Sequence, residues 1–383
     1  MDYRPKCPLE QGGSNIEGSD GTYQSEVRFL LKQLVQLYNL QSEEPLILKV
    51  FNTLTRECLS YSVTEKLPQF SFICGDFTPI QFSVSLSRVK REGTALRYVT
   101  EISKPFMLLP DRVALGRKRI PLLLELIDAT CLQPLIQRVL ELLLPQSRLL
   151  PDHPMFGFWI GVQHETSLAP SLEIYCNLLW QLDNPWSMSY ETLQLLDRID
   201  LLRVVVDIQK SLGYCCQPNF IGLRCNADGF NMIRLYFRGY QLSRSNIHSF
   251  LKEMTRTGFE NGFELFHKLI LGGQETYTPH SVIFSVGSPW EPREFYDIKV
   301  EVGPQYYLEN DRTIRRRITE LARKLKLNVK PYKEMLNLFS NGRLSQRTTR
   351  FHDAVGVGFN PQTGTRLNIY LRPDLSHYHK ITE

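Results

Sequence analysis

Metal-ligand spacings, phosphate loops and paired cysteines are all missing from this sequence. The eight cysteines, at positions 7, 58, 74, 131, 176, 215, 216 and 225, form no CxxC pair, and the adjacent Cys215 and Cys216 are poorly placed to bridge each other. Reduced structural thiols in a cytoplasm are therefore expected. There is no DDxxD-type aspartate cluster, no HExxH and no Cys/His spacing, so no metal ligand is nominated and no cofactor is expected. Walker A, a GxGxxG that opens a helix, and GxSxG are absent too. The N-terminus, MDYRPKCPLEQGGSN, has no apolar leader core. No apolar run reaches the roughly 18 residues that span a bilayer. The run from Ile120 to Leu144 is interrupted by Glu125, Asp128, Gln133, Gln137, Arg138 and Glu141. A cytoplasmic protein without a membrane span is expected. Its 45 basic and 40 acidic residues leave a net charge of +5, too mild to imply nucleic acid and equally suited to a basic pocket for a small anion.

What is present is a repeat. Residues 1–24 are polar and rich in Gly and Ser and read as a loose tail; residues 25–383 read as one domain. Within that domain a helical stretch is followed by two alternating segments joined by a turn, five times over. The pairs are QFSVSLS with LRYVTEIS, GFWIGVQ with SLEIYCNLL, FIGLRCN with NMIRLYFRG, SVIFSVG with YDIKVEVGP, and AVGVGFN with RLNIYLRP. The turns carry Gly, Pro, Asn and Asp, as hairpin loops do. Helical periodicity fills Arg117–Leu144, Tyr190–Gly213, Asn246–Leu271 and Arg312–Phe339. Strands alternating with helices also suit a parallel sheet, but the tight turns within each pair favour antiparallel hairpins.

The alternation has a direction. Ile233, Leu235 and Phe237 oppose Arg234, Tyr236 and Arg238; Leu367, Ile369 and Leu371 oppose Asn368, Tyr370 and Arg372. Ile174, Cys176 and Leu178 oppose Glu173, Tyr175 and Asn177, and Ile298, Val300 and Val302 oppose Lys299 and Glu301. Amphipathic helices cover the aliphatic face of a sheet, so the polar face points elsewhere. An open sheet could show it to solvent. Five hairpins closing on themselves instead give an α+β protein, a ten-stranded antiparallel barrel with a solvent-filled polar lumen and helices outside. Gln81, Ser83, Trp159, Gly161, Gly222, Arg224, Ser285, Gly356 and Gly358 of the first strands share that side, the glycines leaving room for a ligand.

Such a lumen gathers Arg97, Arg224, Arg234, Arg238, Lys299 and Arg372 with Trp159, Tyr175, Tyr236 and Tyr370. Forked guanidinium hydrogen bonds in a low-dielectric cavity grip a polyanion such as a diphosphate. Aromatic faces stabilise a carbocation by about 0.5–2 kcal/mol each. An allylic diphosphate that ionises to a cation and pyrophosphate needs both.

The pattern resembles the ABBA-fold (ββαα-repeat, PT-barrel) aromatic prenyltransferases, and among them the dimethylallyltryptophan synthase group, over about Leu46 to Pro373. The residues that carry the likeness are GDFTPIQFSVSL at Gly75–Leu86, LRYVTE at Leu96–Glu101, and the strands EIYCN, RLYFRGY, IKVEV and LNIYLRP. The resemblance implies metal-free transfer of a prenyl group from an allylic diphosphate to an aromatic acceptor, often an indole. It implies diphosphate binding by Arg97, Arg234 and Lys299, and a tyrosine shield of Tyr175, Tyr236 and Tyr370. Four positions depart from the family pattern. Gln81 stands where a TPIE-type motif has its glutamate, the group that binds the indole N–H and accepts a proton; an amide orients an N–H but is a poor base. Glu173 stands where Lys is usual, Met232 where Arg is common, and Glu301 where an aromatic is expected. Glu101, Glu173 or Glu301 is then the replacement base, or these carboxylates pair with arginines. The acceptor alternatives are a phenol, a peptide side chain or water, and a non-catalytic barrel for an amphipathic ligand is the reading from another class. The expected partners are small molecules, with the chain a monomer or homodimer.

Overall fold

The computed structural model describes residues 21–62, 71–76, 78–88, 95–104, 106–145, 150, 156–166, 168–180, 184–255, 259–291, 296–341, 344, 348, 350–373 and 375. Most of the expected tail and Cys7 lie outside the described residues, as do 89–94 and 292–295 of the first and fourth hairpin turns. Ten strands form: β1 (Ile80–Leu86), β2 (Leu96–Glu101), β3 (Phe158–His164), β4 (Ser171–Asn177), β5 (Cys216–Asn226), β6 (Gly229–Gly239), β7 (Val282–Pro289), β8 (Asp297–Val302), β9 (His352–Asn360) and β10 (Gly364–Leu371). Each pairs antiparallel with its sequence neighbours, and β1 pairs with β10 to close the barrel. The hairpins are those the sequence predicts. In the third, Asp228 donates its N–H to the Asn226 side chain at 3.0 Å, and Gly229 takes φ +132° to start the return strand.

Helix pairs precede every hairpin: α1 (Tyr23–Leu37) and α2 (Glu44–Thr55), α3 (Leu109–Leu126) and α4 (Gln133–Leu143), α5 (Pro185–Leu195) and α6 (Ile199–Leu212), α7 (Arg244–Thr255) and α8 (Glu260–Leu269), α9 (Asp311–Lys324) and α10 (Lys330–Ser340). α1 begins inside the expected tail, with buried Tyr23 and a Thr22 cap, so helical structure is present before residue 25. Each helix lays one stripe on the barrel, such as Leu201, Val204, Val205, Ile208 and Leu212 of α6. That stripe meets the outward aliphatic sets, among them fully buried Ile233, Leu235 and Phe237. No helix among the described residues is long and apolar enough to cross a membrane.

Each helical stretch holds two helices, as the ββαα resemblance implies, and the break after α1, α3, α5 and α9 repeats. Asn39, Asp128, Asp197 and Lys326 take φ of 53–58° just past α1, α3, α5 and α9. The next residue donates back across the turn each time: Leu40 to Val35, Ala129 to Leu124, Arg198 to Leu193, Leu327 to Ala322. This paired 6→1 closure satisfies the last helix carbonyls and reverses the chain without glycine. Asn and Asp tolerate the left-handed conformation best, so three of the four breaks were marked by residue type, and only Lys326 was not.

Two contacts fix helices to strands. Gly116 of α3 sits on the Phe158 ring, where a Cβ would lie 1.7 Å from a ring carbon. At the start of β9, Tyr332 of α10 donates to His352 Nε2 at 2.7 Å, and His352 Nδ1 meets Asp311 of α9 at 2.6 Å. All three are fully buried. Burial pushes the His352 imidazole below its ordinary range despite Asp311, and His164 is likewise pushed down to about 4. The neutral ring donates from Nδ1 and accepts at Nε2, which suits both partners.

Gly116→Ala is expected to cost about 1–3 kcal/mol in urea unfolding, and Phe158→Leu in the same chain to recover part of it. For His352, the folded state resists a proton that the unfolded chain takes up near pH ~6.5. Its contribution is therefore complete above that pH and lost as pH falls below it. The urea midpoint should drop between pH 7.5 and 5, with a shallower slope in His352→Gln.

Candidate active site

Strand alternation delivers the polar faces into the lumen, which divides into two compartments. One, of about 220 Å³, is lined by Arg97, Arg224, Arg234, Lys299 and Arg366 together with Glu173 and Asp297. With Glu301, which pairs with Lys299, these five cations face three carboxylates, an excess of two positive charges. The other, of about 260 Å³, is lined by aromatic and apolar groups, among them Phe72, Trp159, Phe220 and Ile283, with Gln81, Arg238, Glu301 and Asp353. Val99, Tyr175, Tyr236, Lys299 and Tyr370 face both and form the wall between them.

The cations are held by countercharges. One oxygen of Asp297 accepts from Arg234 and Arg366, each at 2.5 Å, and Arg234 also donates to Ser285 at 3.1 Å. Burial pushes the Asp297 carboxyl up, but Arg366 and Arg234 outweigh it and hold it well below the ordinary carboxylate range. Both guanidiniums lie flat on glycine: a Cβ on Gly287 would come within 2.8 Å of Arg234, and one on Gly358 within 3.0 Å of Arg366. Gly356 makes way for Glu301, and Gly222 for Glu173 and Tyr175. The lumen glycines make room for the protein's own side chains, which corrects the expectation that they leave room for a ligand. Glu173 takes two hydrogen bonds from Arg224, at 3.0 and 2.5 Å. Burial raises its carboxyl, but Arg224, Arg234 and Lys299 together hold it below its usual range.

On the shared wall Lys299 reaches Glu301 at 2.8 Å and donates to the Tyr370 hydroxyl at 2.9 Å. Its ammonium lies 5.2 Å from the Tyr236 ring centre and 5.5 Å from that of Tyr370. These rings therefore already accommodate a positive charge. Burial pushes the Lys299 ammonium down, Glu301 resisting and Arg234 adding to the effect. Behind them Tyr236 stacks on Phe220 at 4.2 Å, Phe220 meets Trp159 edge-on at 5.4 Å, and Trp159 stacks on Phe156 at 4.2 Å.

No family model matches the chain, and no curated relative does. Solved structures do. The prenyltransferase PriB shares 16% identity, with 92% of this chain and 97% of that one covered and a TM-score of 0.77. A 5-dimethylallyltryptophan synthase from Streptomyces coelicolor, in complex with DMASPP and Trp, shares 15% over 94% and 97%, with a TM-score of 0.78. A 6-dimethylallyltryptophan synthase from Micromonospora olivasterospora, in complex with the same pair, shares 15% over 93% and 98%, with a TM-score of 0.73. The fold is the prenyltransferase (PT) barrel.

The PT barrel brings most of the expected residues together and separates four. Arg97, Arg224, Arg234 and Lys299 share the cationic compartment, and Trp159, Tyr175, Tyr236 and Tyr370 stand beside it. Arg238 lines the aromatic compartment instead. Arg372 lines neither: it is drawn to Asp353 at 2.9 Å, Asp76 at 3.1 Å and the Arg350 carbonyl at 2.7 Å. Glu101 lies under α3, bonded to Arg112 and accepting from Ser71 and Phe72, and does not line the cavity. Gln81 faces the aromatic compartment and donates to Asp353.

Arg366, Asp297, Phe220 and Asp353 are functional candidates that sequence reasoning missed. The first three keep the lumen parity of Asn368, Lys299 and Gly222 and lie at or beside the start of the segments RLNIYLRP, YDIKVEVGP and FIGLRCN. Asp353 breaks parity. Asp297→Asn is expected to leave two buried guanidiniums facing a neutral amide, with a loss of about 3–5 kcal/mol in urea unfolding. Adding Arg366→Met should recover part of that loss.

Proposed function

We propose that this PT barrel transfers an allylic prenyl group from a prenyl diphosphate to an indole-type aromatic acceptor, by way of an allyl cation and without a metal. The observation that carries this reading is the adjacency of a net-cationic compartment to an aromatic one across a wall of three tyrosines. The diphosphate belongs among Arg97, Arg224, Arg234, Lys299 and Arg366, whose forked donors match its oxygens and whose excess charge opposes its own. The prenyl chain then passes between Tyr175, Tyr236 and Tyr370, and the acceptor ring lies against Trp159 and Phe220.

The reaction follows from that placement. The allylic C–O bond breaks, and pyrophosphate keeps the electron pair beside the arginines. The tyrosine faces stabilise the cation and keep water from it. The acceptor's π electrons form the new C–C bond. Positioning and preorganised charge lower the barrier without any rearrangement of the protein. Glu173 and Asp297 act as positioning residues that hold Arg224, Arg234 and Arg366 in place. DMASPP and Trp, the ligands named for two of the similar structures, are of the proposed substrate classes. Gln81 supports a second reading, the same donor chemistry with a non-indole acceptor such as a phenol, a peptide side chain or water.

The test is product mass after incubation with dimethylallyl, geranyl or farnesyl diphosphate and a panel of tryptophan, tryptophan dipeptides, other indoles, tyrosine and phenols, with and without EDTA. A prenyl-sized gain on an indole that survives EDTA is expected; a gain on phenols alone selects the second reading. Loss of the gain with EDTA, or no binding of pyrophosphate, overturns the proposal. Arg224→Gln should weaken pyrophosphate binding about 10- to 100-fold in calorimetry.

A further inference from the structure

Two carboxylates of the aromatic compartment, Asp353 and Glu301, have no part in the proposed reaction so far. Ladder pairing between β9 and β10 runs Tyr370 with Ala354, then Leu371 with His352, so Asp353 is the extra residue of a bulge. Alternation alone sends Asp353 outward with Val355 and Val357. The bulge turns it into the aromatic compartment beside Gln81, Cys74 and Gly75. There its Oδ1 accepts from the Gly75 N–H at 2.8 Å and from Arg372 at 2.9 Å. Its Oδ2 accepts from the Gln81 amide, a neutral donor.

The other carboxylates lie outside this compartment or, like Glu301, share it bound to an ammonium. Glu173 is clamped by Arg224 in the cationic compartment, Glu301 is paired with Lys299, and Glu101 lies outside the cavity under Arg112. Arg372 divides its donors between Asp353, Asp76 and the Arg350 carbonyl. Burial, with Asp76 adding to it and Arg372 opposing it, raises the Asp353 carboxyl above its usual range. Arg238 and the Lys299–Glu301 pair are the other charged groups lining the compartment.

We infer that Asp353 is the catalytic residue that takes the proton from the prenylated acceptor, with Gln81 holding the acceptor's N–H or O–H through its carbonyl. The inference rests on the proposed prenyl transfer. Once the C–C bond has formed, the proton passes to Oδ2, the bonding pair returns to the ring, and the neutral carboxyl group gives the proton to solvent. Lumen carboxylate and amide thus divide between Asp353 and Gln81 the two tasks that the family resemblance assigns to one glutamate.

The test compares the parent protein with Asp353→Asn, Gln81→Glu/Asp353→Asn, Glu301→Gln and Gln81→Met, using dimethylallyl diphosphate and the best acceptor. Asp353→Asn should lower product formation about 10²- to 10⁴-fold. Its pyrophosphate affinity should stay at the parent's value, and prenyl alcohol should replace prenylated acceptor among the products. The double variant, which moves the carboxylate across to position 81, should regain part of the rate. Gln81→Met removes a hydrogen bond to the ionised carboxylate, so the acid inflection of kcat should move to higher pH. Because that variant leaves the Asp353 contacts to Gly75 and Arg372 in place, it tests the assignment even if Asp353→Asn fails to fold. Parent-like rates in Asp353→Asn, an unmoved inflection in Gln81→Met, or the same product switch in Glu301→Gln alone would overturn the assignment. A parent that ionises the donor but releases only alcohol with every acceptor overturns it too, while the donor site stands. A parent that does not bind pyrophosphate overturns the donor reading itself.

Discussion

A cation taken out of water needs a countercharge, and the interior of this barrel is organised around that need. Ten strands put their aliphatic faces under helices and so commit the opposite faces, arginines included, to an enclosed lumen. Left alone, five cations lining one small compartment would repel each other and lose their hydration. Asp297 tethers two of them through a single oxygen, and Glu173 tethers a third. The glycines follow from the same arrangement, because flat guanidiniums lie where a Cβ on Gly287 or Gly358 would stand. Glu173 and Met232 stand where the resemblance expects cations. The carboxylates leave fewer free charges but fix those that remain.

The fold was legible because the signal was repeated. One strand with tyrosine beside arginine is compatible with a solvent face, but five hairpins with the same parity are not. Parity also placed Arg97, Arg224, Arg234, Lys299 and the three tyrosines correctly in the lumen. It failed where the strand ladder is irregular or ends. The bulge at Asp353 reverses one residue's direction, and no local sequence signal marks it. Arg372 and Glu101 keep parity, yet each lies at a strand end, where Asp353 of the neighbouring strand and Arg112 of α3 capture them. Such pairings, like that of Gln81 with Asp353 across 272 residues, depend on three-dimensional neighbours that one sequence does not reveal. Arg366, Asp297 and Phe220 share the lumen parity of residues that were assigned to it and were legible by the same alternation.

Periodicity did not mark where one helix of a pair ends and the next begins. A hydrophobic stripe continues through a tight reversal whenever both helices pack on the same barrel, so periodicity alone joins them. The left-handed Asn39, Asp128 and Asp197 were the available clue, and Lys326 shows that the closure forms even without a favoured residue.

The barrel closes only where β1 meets β10, Phe82 opposite Leu371 and Leu86 opposite Leu367. Both compartments draw on these two ends of the chain: Arg97 and Gln81 come from the first hairpin, Arg366 and Tyr370 from the last. As the chain leaves the ribosome, the first hairpin therefore waits for the fifth before either compartment exists. Contacts of such long sequence separation form late and slowly. The helix pairs, built from local contacts, can assemble meanwhile and cover the aliphatic faces of a still open sheet. Its charged interior gains its enclosure only in the final step, so the polar lumen and the completed wall appear together.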